Sequence, residues 1–328
     1  MLTRRLIAIV AVVIALPLAV VTAPIWILAC AAADAISRLW RFPTVKLAAF
    51  GVVYLAHQWV AVTIWIWLLA KERLTGRALM EDNRAVQCWW VVSQLRWARR
   101  LLNVDFDMGD LSDFPDGRFV LASRHASPVD AVVPIALIPG RLGRFTHYVL
   151  KDQLLWDPAI SIYGNRLANK FVARGSRTED DLVGIAEMAG AALPNAGLVI
   201  FPEGTYATEA NRTRVLTSLS RKADGGALGD DMVGYALSLK HLLPPKPAGI
   251  LTMLAHRPDA DVVILGHAGL EGVANLRGLR RLLPLDRPVM VWWWIHRRQD
   301  LPTEEAALGE WLRERWVELD HWVSDVLY

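Results

Sequence analysis

Two apolar runs, residues 6–33 and 45–70, follow one another at the start of the chain. Each exceeds the roughly 20 residues that cross a bilayer as a helix. They hold much of a hydrophobic content of 54%, which is high for a soluble enzyme, so a membrane constrains the fold before any catalytic residue is considered. The flanks narrow the choice further. Arg4 and Arg5 precede the first run, Arg38, Arg41 and Lys46 lie between the runs, and Lys71, Arg73 and Arg77 follow the second. Basic residues resist translocation, so three basic flanks predict that all three stay on the cytoplasmic side. Pro17 and Pro24 bend the first helix. A helical hairpin dipping into one leaflet fits these features better than two straight spans. The first run is also much longer than the roughly 7–15 residues of a signal-peptide core, and we expect a cell-membrane protein with its remaining mass on the cytoplasmic face.

Residues 81–102 read as an amphipathic helix, with Val91, Leu95 and Leu102 on one side and Arg96, Arg99 and Arg100 on another. Trp89, Trp90 and Trp97 suit an interfacial position, as does a total of 15 tryptophans. A net charge of +3 gives no nucleic-acid footprint but is compatible with anionic lipid. Two cysteines, Cys30 and Cys88, imply neither a disulfide framework nor a metal site. The histidines lack mutual metal-ligand spacing, so no metal is expected.

From about residue 104 the texture changes. Residues 118–122 (RFVLA), 197–201 (GLVIF), 262–265 (VVIL) and 289–295 (VMVWWWI) predict buried strands, while 128–138 and 178–193 have helical periodicity. This predicts the α/β class: a mixed, largely buried β-sheet flanked by helices, carrying the N-terminal hydrophobic helical hairpin. Residues 206–230, polar and glycine-bearing, read as a mobile loop with Arg212, Arg214, Arg221 and Lys222. The tail from Thr303 reads as a helix with an apolar stripe of Leu308, Leu312, Trp316, Leu319 and Val323.

Three segments carry candidate chemistry. In SRHASPVD (123–130), Ser127 and Pro128 predict a helix start, with Ser as N-cap and Pro at the first helical position. His125 then lies in a strand-to-helix turn and Asp130 in the first helical turn. The carboxylate can accept from the imidazole Nδ1–H, which leaves Nε2 as a general base. In GLVIFPEGT (197–205) a buried strand ends in a turn, the usual place for binding groups. There the N–H groups of Gly204 and Thr205 are candidate donors to a phosphate or oxyanion, and Glu203 is a candidate acceptor for a substrate hydroxyl. In YGNRLANKFVARGSR (163–177), Arg174 is a candidate phosphate clamp and Lys170 a weaker one. Each segment taken singly also fits a structural turn or a surface cation.

Taken in order, H-x4-D, the Phe-Val-x-Arg block and F-P-E-G-T resemble the glycerolipid acyltransferase family, the lysophosphatidic acid acyltransferase-like enzymes and their lysophospholipid acyltransferase branch. The resemblance covers roughly residues 118–270. It implies that His125 is the general base supported by Asp130, and that Arg174, Glu203 and Gly204 bind the glycerol-phosphate of the acceptor. The co-substrate would be an acyl thioester of coenzyme A or acyl carrier protein, with no other cofactor. Ala168 stands where the family often has Gly, and Tyr206 where an Arg commonly follows FPEGT. Arg212 or Arg214 would then supply the missing charge if the loop folds back. HLLPPKPAGI (241–250) resembles a segment of the lysophospholipid branch in which Pro244 or Pro245 would line the acyl tunnel.

The expected organisation is a membrane-embedded two-helix element (1–75), an interfacial helix (76–103), an acyltransferase domain (104–300) and a C-terminal helix (301–328). The expected function is transfer of a fatty acyl chain to a lysophospholipid hydroxyl, most simply 1-acyl-glycerol-3-phosphate, at a lipid bilayer. The alternatives are another lysolipid or glycolipid acceptor, or a membrane lipid-binding protein that keeps the fold without activity.

Overall fold

A computed structural model describes residues 2–172, 179–225, 230–271, 273 and 275–327. Along the chain the helices are α1 (Leu2–Val21), α2 (Ala23–Ile36), α3 (Pro43–Thr75), α4 (Met80–Leu102), α5 (Val132–Leu137) and α6 (Pro158–Arg166). They continue as α7 (Glu179–Ala191), α8 (Glu209–Asp224), α9 (Asp230–Ser238), α10 (Ala248–His256), α11 (Leu276–Leu282) and α12 (Glu305–Leu327). The strands are β1 (Phe106–Met108), β2 (Phe119–Ser123), β3 (Thr146–Lys151), β4 (Lys170–Val172), β5 (Gly197–Ile200), β6 (Asp261–Ala268) and β7 (Val289–His296). They fall into two compact units. One comprises residues 1–105, 135–181 and 280–286, the other 106–134, 182–279 and 287–328.

In the first unit the leading apolar run divides at Thr22 into α1 and α2, because Pro24 lies in the opening turn of α2. There are thus three apolar helices where the sequence suggested two. By length and composition, Thr3–Val21 and Pro43–Thr75 are each sufficient to cross a bilayer. On α1, Leu6, Ile7, Val10, Ile14 and Leu18 are all more than half exposed.

Helix α3 has two unlike faces. Tyr54, Gln58, Ala61, Leu68 and Glu72 recur at helical spacing, and this stripe holds α6. Gln58 is fully buried in the apolar helix. It donates to Asp157 Oδ2 (2.5 Å) and accepts the Ala159 N–H (3.0 Å), while the Tyr54 hydroxyl also donates to Asp157. Asp157 is the N-cap of α6, accepting from the Ile160 N–H. The Tyr163 hydroxyl reaches Ala61 O (2.8 Å), and Arg166 pairs with Glu72. The opposite face, with Val60, Ile66 and Trp67, is exposed. Strands β3 and β4 form a parallel pair in this unit, Val149 opposite Lys170.

The second unit is built on five strands in the order β1-β7-β6-β2-β5. All pairs are parallel except β6 with β7. Every residue of β2 and β5 is buried, as expected for central parallel strands covered on both faces, which read as continuous apolar runs. On β6, Gly266 admits α12 closely. A Cβ there would stand 2.6 Å from Leu319 and 3.0 Å from Trp322. Gly249 does the same for α10 against Ile200. The α12 stripe of Leu308, Leu312, Trp316, Leu319 and Val323 is buried throughout.

Two local readings change. Residues 209–224, expected within a loop, form α8. Thr208 caps it by accepting the Asn211 N–H, Glu209 opens it, and Arg221 and Lys222 close it. The capping and dipole terms favour this helix, although too few of its residues are apolar to show a period. The helix expected to begin at Pro128 begins instead at Val132. Pro134 has no N–H to give to the Asp130 carbonyl, so a helix begun at Pro128 would carry it as an interior breaker. The Val133 N–H takes the Asp130 carbonyl instead (2.9 Å), and Pro134 falls in the first helical turn.

Candidate active site

The central strands of the second unit run parallel, so their carboxyl ends open on one edge. Ser123 at the end of β2 pairs with Leu265 of β6, and Ala122 pairs with Ile200 of β5. Arg124 and His125 leave β2, Phe201 to Thr205 leave β5, and His267 lies near the end of β6.

Asp130 is fully buried between two imidazoles. Its Oδ2 lies 3.5 Å from His125 Nδ1 and 3.5 Å from His267 Nε2. Ser127 completes the cradle. Its N–H donates to Oδ2 (2.7 Å) and its hydroxyl to Oδ1. Ser127 therefore serves the carboxylate rather than capping a helix. Burial alone would raise the Asp130 pKa, but His267, His125 and Ser127 together hold it well below the usual carboxylate range.

His267 was passed over in the sequence because it shares no metal-ligand spacing with another histidine. Its place just after the VVIL run, at a strand's carboxyl end, was the available signal. Both atoms near its Nε2 are acceptors, Asp130 Oδ2 and Arg124 O (3.3 Å). That nitrogen therefore carries the proton.

The His125 main chain is fastened on both sides. Its N–H donates to Glu203 Oε1 (2.7 Å), and its carbonyl accepts the Ala207 N–H (2.8 Å). Its ring lies 4.7 Å from Phe201 and meets Tyr206 edge-on at 5.7 Å. Glu203 is buried, and its second oxygen accepts the Leu243 N–H (2.9 Å). Each oxygen thus accepts a main-chain donor, so Glu203 ties three segments together. Burial pushes its pKa up to about 8, against the pull of the two N–H groups and Arg124. Arg124 is itself buried, donating to His267 O and pairing with Glu271 at 2.5 Å.

Gly204 adopts φ +71°, a left-handed conformation that suits glycine. Its N–H closes the turn onto Phe201 O (3.0 Å) and so is not available to a ligand. Thr205 follows, its hydroxyl accepting from Asn211 Nδ2 (3.2 Å). Among the described residues nothing accepts the Thr205 N–H.

The remaining candidates are placed differently. The Arg212 guanidinium donates to the carbonyls of Leu239, Lys240 and Leu242. It sits on α8, whose helical course turns it to that segment. Arg214 donates to Asn211 Oδ1 (3.1 Å). Lys170 belongs to the first unit, where it pairs with Asp181 (3.7 Å). Arg174 lies outside the described residues. The 241–250 segment meets the FPEGT turn through Leu243 and through the Lys246 N–H, which donates to Pro202 O (2.9 Å).

Residues 105–230, which contain His125, Asp130 and the FPEGT turn, match the family model described as Acyltransferase. The chain is 27% identical over 301 residues to the 1-acyl-sn-glycerol-3-phosphate acyltransferase epsilon of Mus musculus, covering 85% of this chain and 76% of the relative. Among solved structures it is similar to the 1-acyl-sn-glycerophosphate (LPA) acyltransferase PlsC of Thermotoga maritima. That match has 16% identity and a TM-score of 0.49, over 81% of this chain and 94% of the other. Residues 105–230 thus carry an acyltransferase domain, and the chain is an O-acyltransferase similar to the glycerolipid enzymes.

Proposed function

We propose that the enzyme moves a fatty acyl chain from a thioester of coenzyme A or acyl carrier protein to the free hydroxyl of 1-acyl-glycerol-3-phosphate, yielding phosphatidic acid. The observation that carries the reading is a buried, ionised Asp130 facing His125 Nδ1, which fixes the imidazole and turns Nε2 to the substrate. The acceptor follows the relative's name. Nε2 takes the hydroxyl proton as the oxygen attacks the thioester carbonyl. The Thr205 N–H is the described donor suited to the resulting oxyanion. Collapse breaks the carbon–sulfur bond, and the thiolate leaves with the proton returned by the imidazolium. The 3.5 Å contact between His125 and Asp130 shortens as the imidazolium forms, as catalytic hydrogen bonds do on reaching the Michaelis complex. The thioester is already activated, so this route uses no metal or redox cofactor.

The exposed apolar faces of α1 and α3 seat the protein in a lipid bilayer, with the catalytic residues on the cytoplasmic side. The replacement of the family's arginine by Tyr206 also favours a second reading, in which the acceptor is a lysolipid with a different headgroup. A panel of lysolipids with product identification by mass spectrometry separates the two. For the mechanism, His125→Ala lowers acceptor-dependent thiol release by roughly 10²–10⁴-fold while vesicle binding is retained. Turnover within twofold of wild type would overturn the assignment.

A further inference from the structure

Asp130 is met from two sides. His125 approaches its Oδ2 from the segment after β2, and His267 approaches the same oxygen from β6, each at 3.5 Å. The acyl-transfer step uses only the first imidazole. His267 is fully buried, so it meets no substrate and acts only through its neighbours. Burying a polar ring is unfavourable unless its N–H is paired. Here the Nε2–H faces Asp130 Oδ2 and Arg124 O (3.3 Å).

His267 stands on a rigid base. Strands β2 and β6 are parallel neighbours with Ser123 opposite Leu265, and the Arg124 N–H extends that ladder to Leu265 O (3.0 Å). The Arg124 guanidinium donates to His267 O and pairs with Glu271, whose Oε2 accepts the Gly269 N–H (2.6 Å). Asp130 has no such base. It lies between β2 and α5, and the N–H and hydroxyl of Ser127 that serve it belong to the same short segment. Of the described groups that meet the carboxylate, only His267 comes from outside that segment. Burial pushes the Asp130 pKa up, and His267 is the strongest of the groups that draw it down.

We infer that His267 is a positioning residue for acyl transfer, its Nε2–H anchoring the Asp130 carboxylate to β6 and so holding Oδ2 opposite His125 Nδ1. The inference rests on the general-base reading above and deepens it. Because the two imidazoles share one carboxylate oxygen, releasing His267 lets that oxygen move away from His125. A misplacement of about 1 Å at such a point costs on the order of 10²-fold in rate.

The test compares the full-length enzyme in detergent micelles with His267→Leu, His267→Asn and His267→Gln. Leucine fills the space without a donor. Asparagine carries its amide nitrogen where the ring has Nδ1, short of Asp130, and glutamine carries it where the ring has Nε2. We expect kcat for acceptor-dependent thiol release to fall by about 10- to 100-fold in His267→Leu and His267→Asn, with both substrate KM values within about twofold. His267→Gln recovers most of the loss. The His267→Asn and His267→Gln pair decides the matter even if His267→Leu fails to fold. In an Asp130→Ala background, His267→Leu changes the residual rate by less than about twofold, since a group that acts through the carboxylate has nothing left to act on. An unchanged kcat in His267→Leu or His267→Asn would overturn the inference, as would equal losses in His267→Gln and His267→Asn. A further loss in the Asp130→Ala background as large as in wild type would also overturn it, making the role of His267 one of general packing. His125→Ala, assayed in parallel, scores the underlying reading. Full turnover there removes the general base itself, whereas loss there with full turnover in the His267 variants removes only the role of His267.

Discussion

Ala168 has φ +55° and is exposed, directly after the last residues of α6. The Asn169 N–H reaches back to Gly164 O (3.0 Å) and the Leu167 N–H to Tyr163 O (2.9 Å), the bonding of a helix end that turns through the left-handed region. A Cβ is disfavoured there by about 1–2 kcal/mol, which is the physical reason a glycine was expected at this position. Ala168→Gly should raise stability by about 1 kcal/mol, the relief of strain being partly offset by the freer unfolded chain. Chemical denaturation followed by tryptophan fluorescence measures it, and a loss of stability would contradict the account.

Glu203 gives a second prediction at the same scale. Its pKa is raised from the ordinary glutamate range to about 8 by burial. Between these two values the folded protein keeps a proton that the unfolded chain releases. Stability is then greatest below the ordinary glutamate pKa and falls as pH rises toward 8. Glu203→Gln removes this titration. The difference in unfolding free energy between wild type and variant should therefore shift against wild type from about pH 5 to pH 8. A difference that stays flat over that range would show that Glu203 is ionised throughout. Asp130 behaves in the opposite sense. Its depressed pKa keeps it charged across the working range.

Among the elements, α12 does more than cover the sheet. Its apolar stripe was legible from spacing alone, but Asp320, on the same helix and buried, was not. A lone acid in an amphipathic pattern reads as solvated until its partners are known, and they lie about 80 residues earlier. With Arg212 on the carbonyls and Asp320 on the N–H groups, the main chain at 239–242 is satisfied from both sides. Asp320→Ala leaves three main-chain donors without their acceptor, of which the Leu242 N–H is buried, and should cost about 1–3 kcal/mol. Asp320→Asn, which keeps one acceptor, should cost less. Thermal unfolding of the two variants in the same detergent gives the comparison, and equal effects would remove the clamp from the account. The same contrast separates the readable from the unreadable elsewhere. Buried central strands appear as apolar runs, and the His125–Asp130 spacing survives any local geometry. The α5 start shifted because Pro134 outweighed the Ser-Pro signal. Helix α8 was hidden because its capping signals accompany almost no apolar period. His267, Leu243 and Lys246 reach the site only through strand order and long-range contacts, which no local pattern encodes.

At the scale of the molecule, the chain does not place its compact units one after the other. Residues 135–181 and 280–286 return to the unit formed by the first 105 residues. The α3 stripe that receives α6 shows what that return entails. Gln58 and Tyr54 satisfy Asp157, and the Ala61 carbonyl satisfies the Tyr163 hydroxyl. Trimming the apolar N-terminus to obtain a water-soluble fragment would therefore strip α6 of the partners that keep its buried polar groups from being orphaned. The hydrophobic leader is thus no detachable anchor. Solubility and integrity are coupled in this chain, and a soluble form has to be sought by recolouring the outward faces of α1 and α3 while their inward stripe is left untouched.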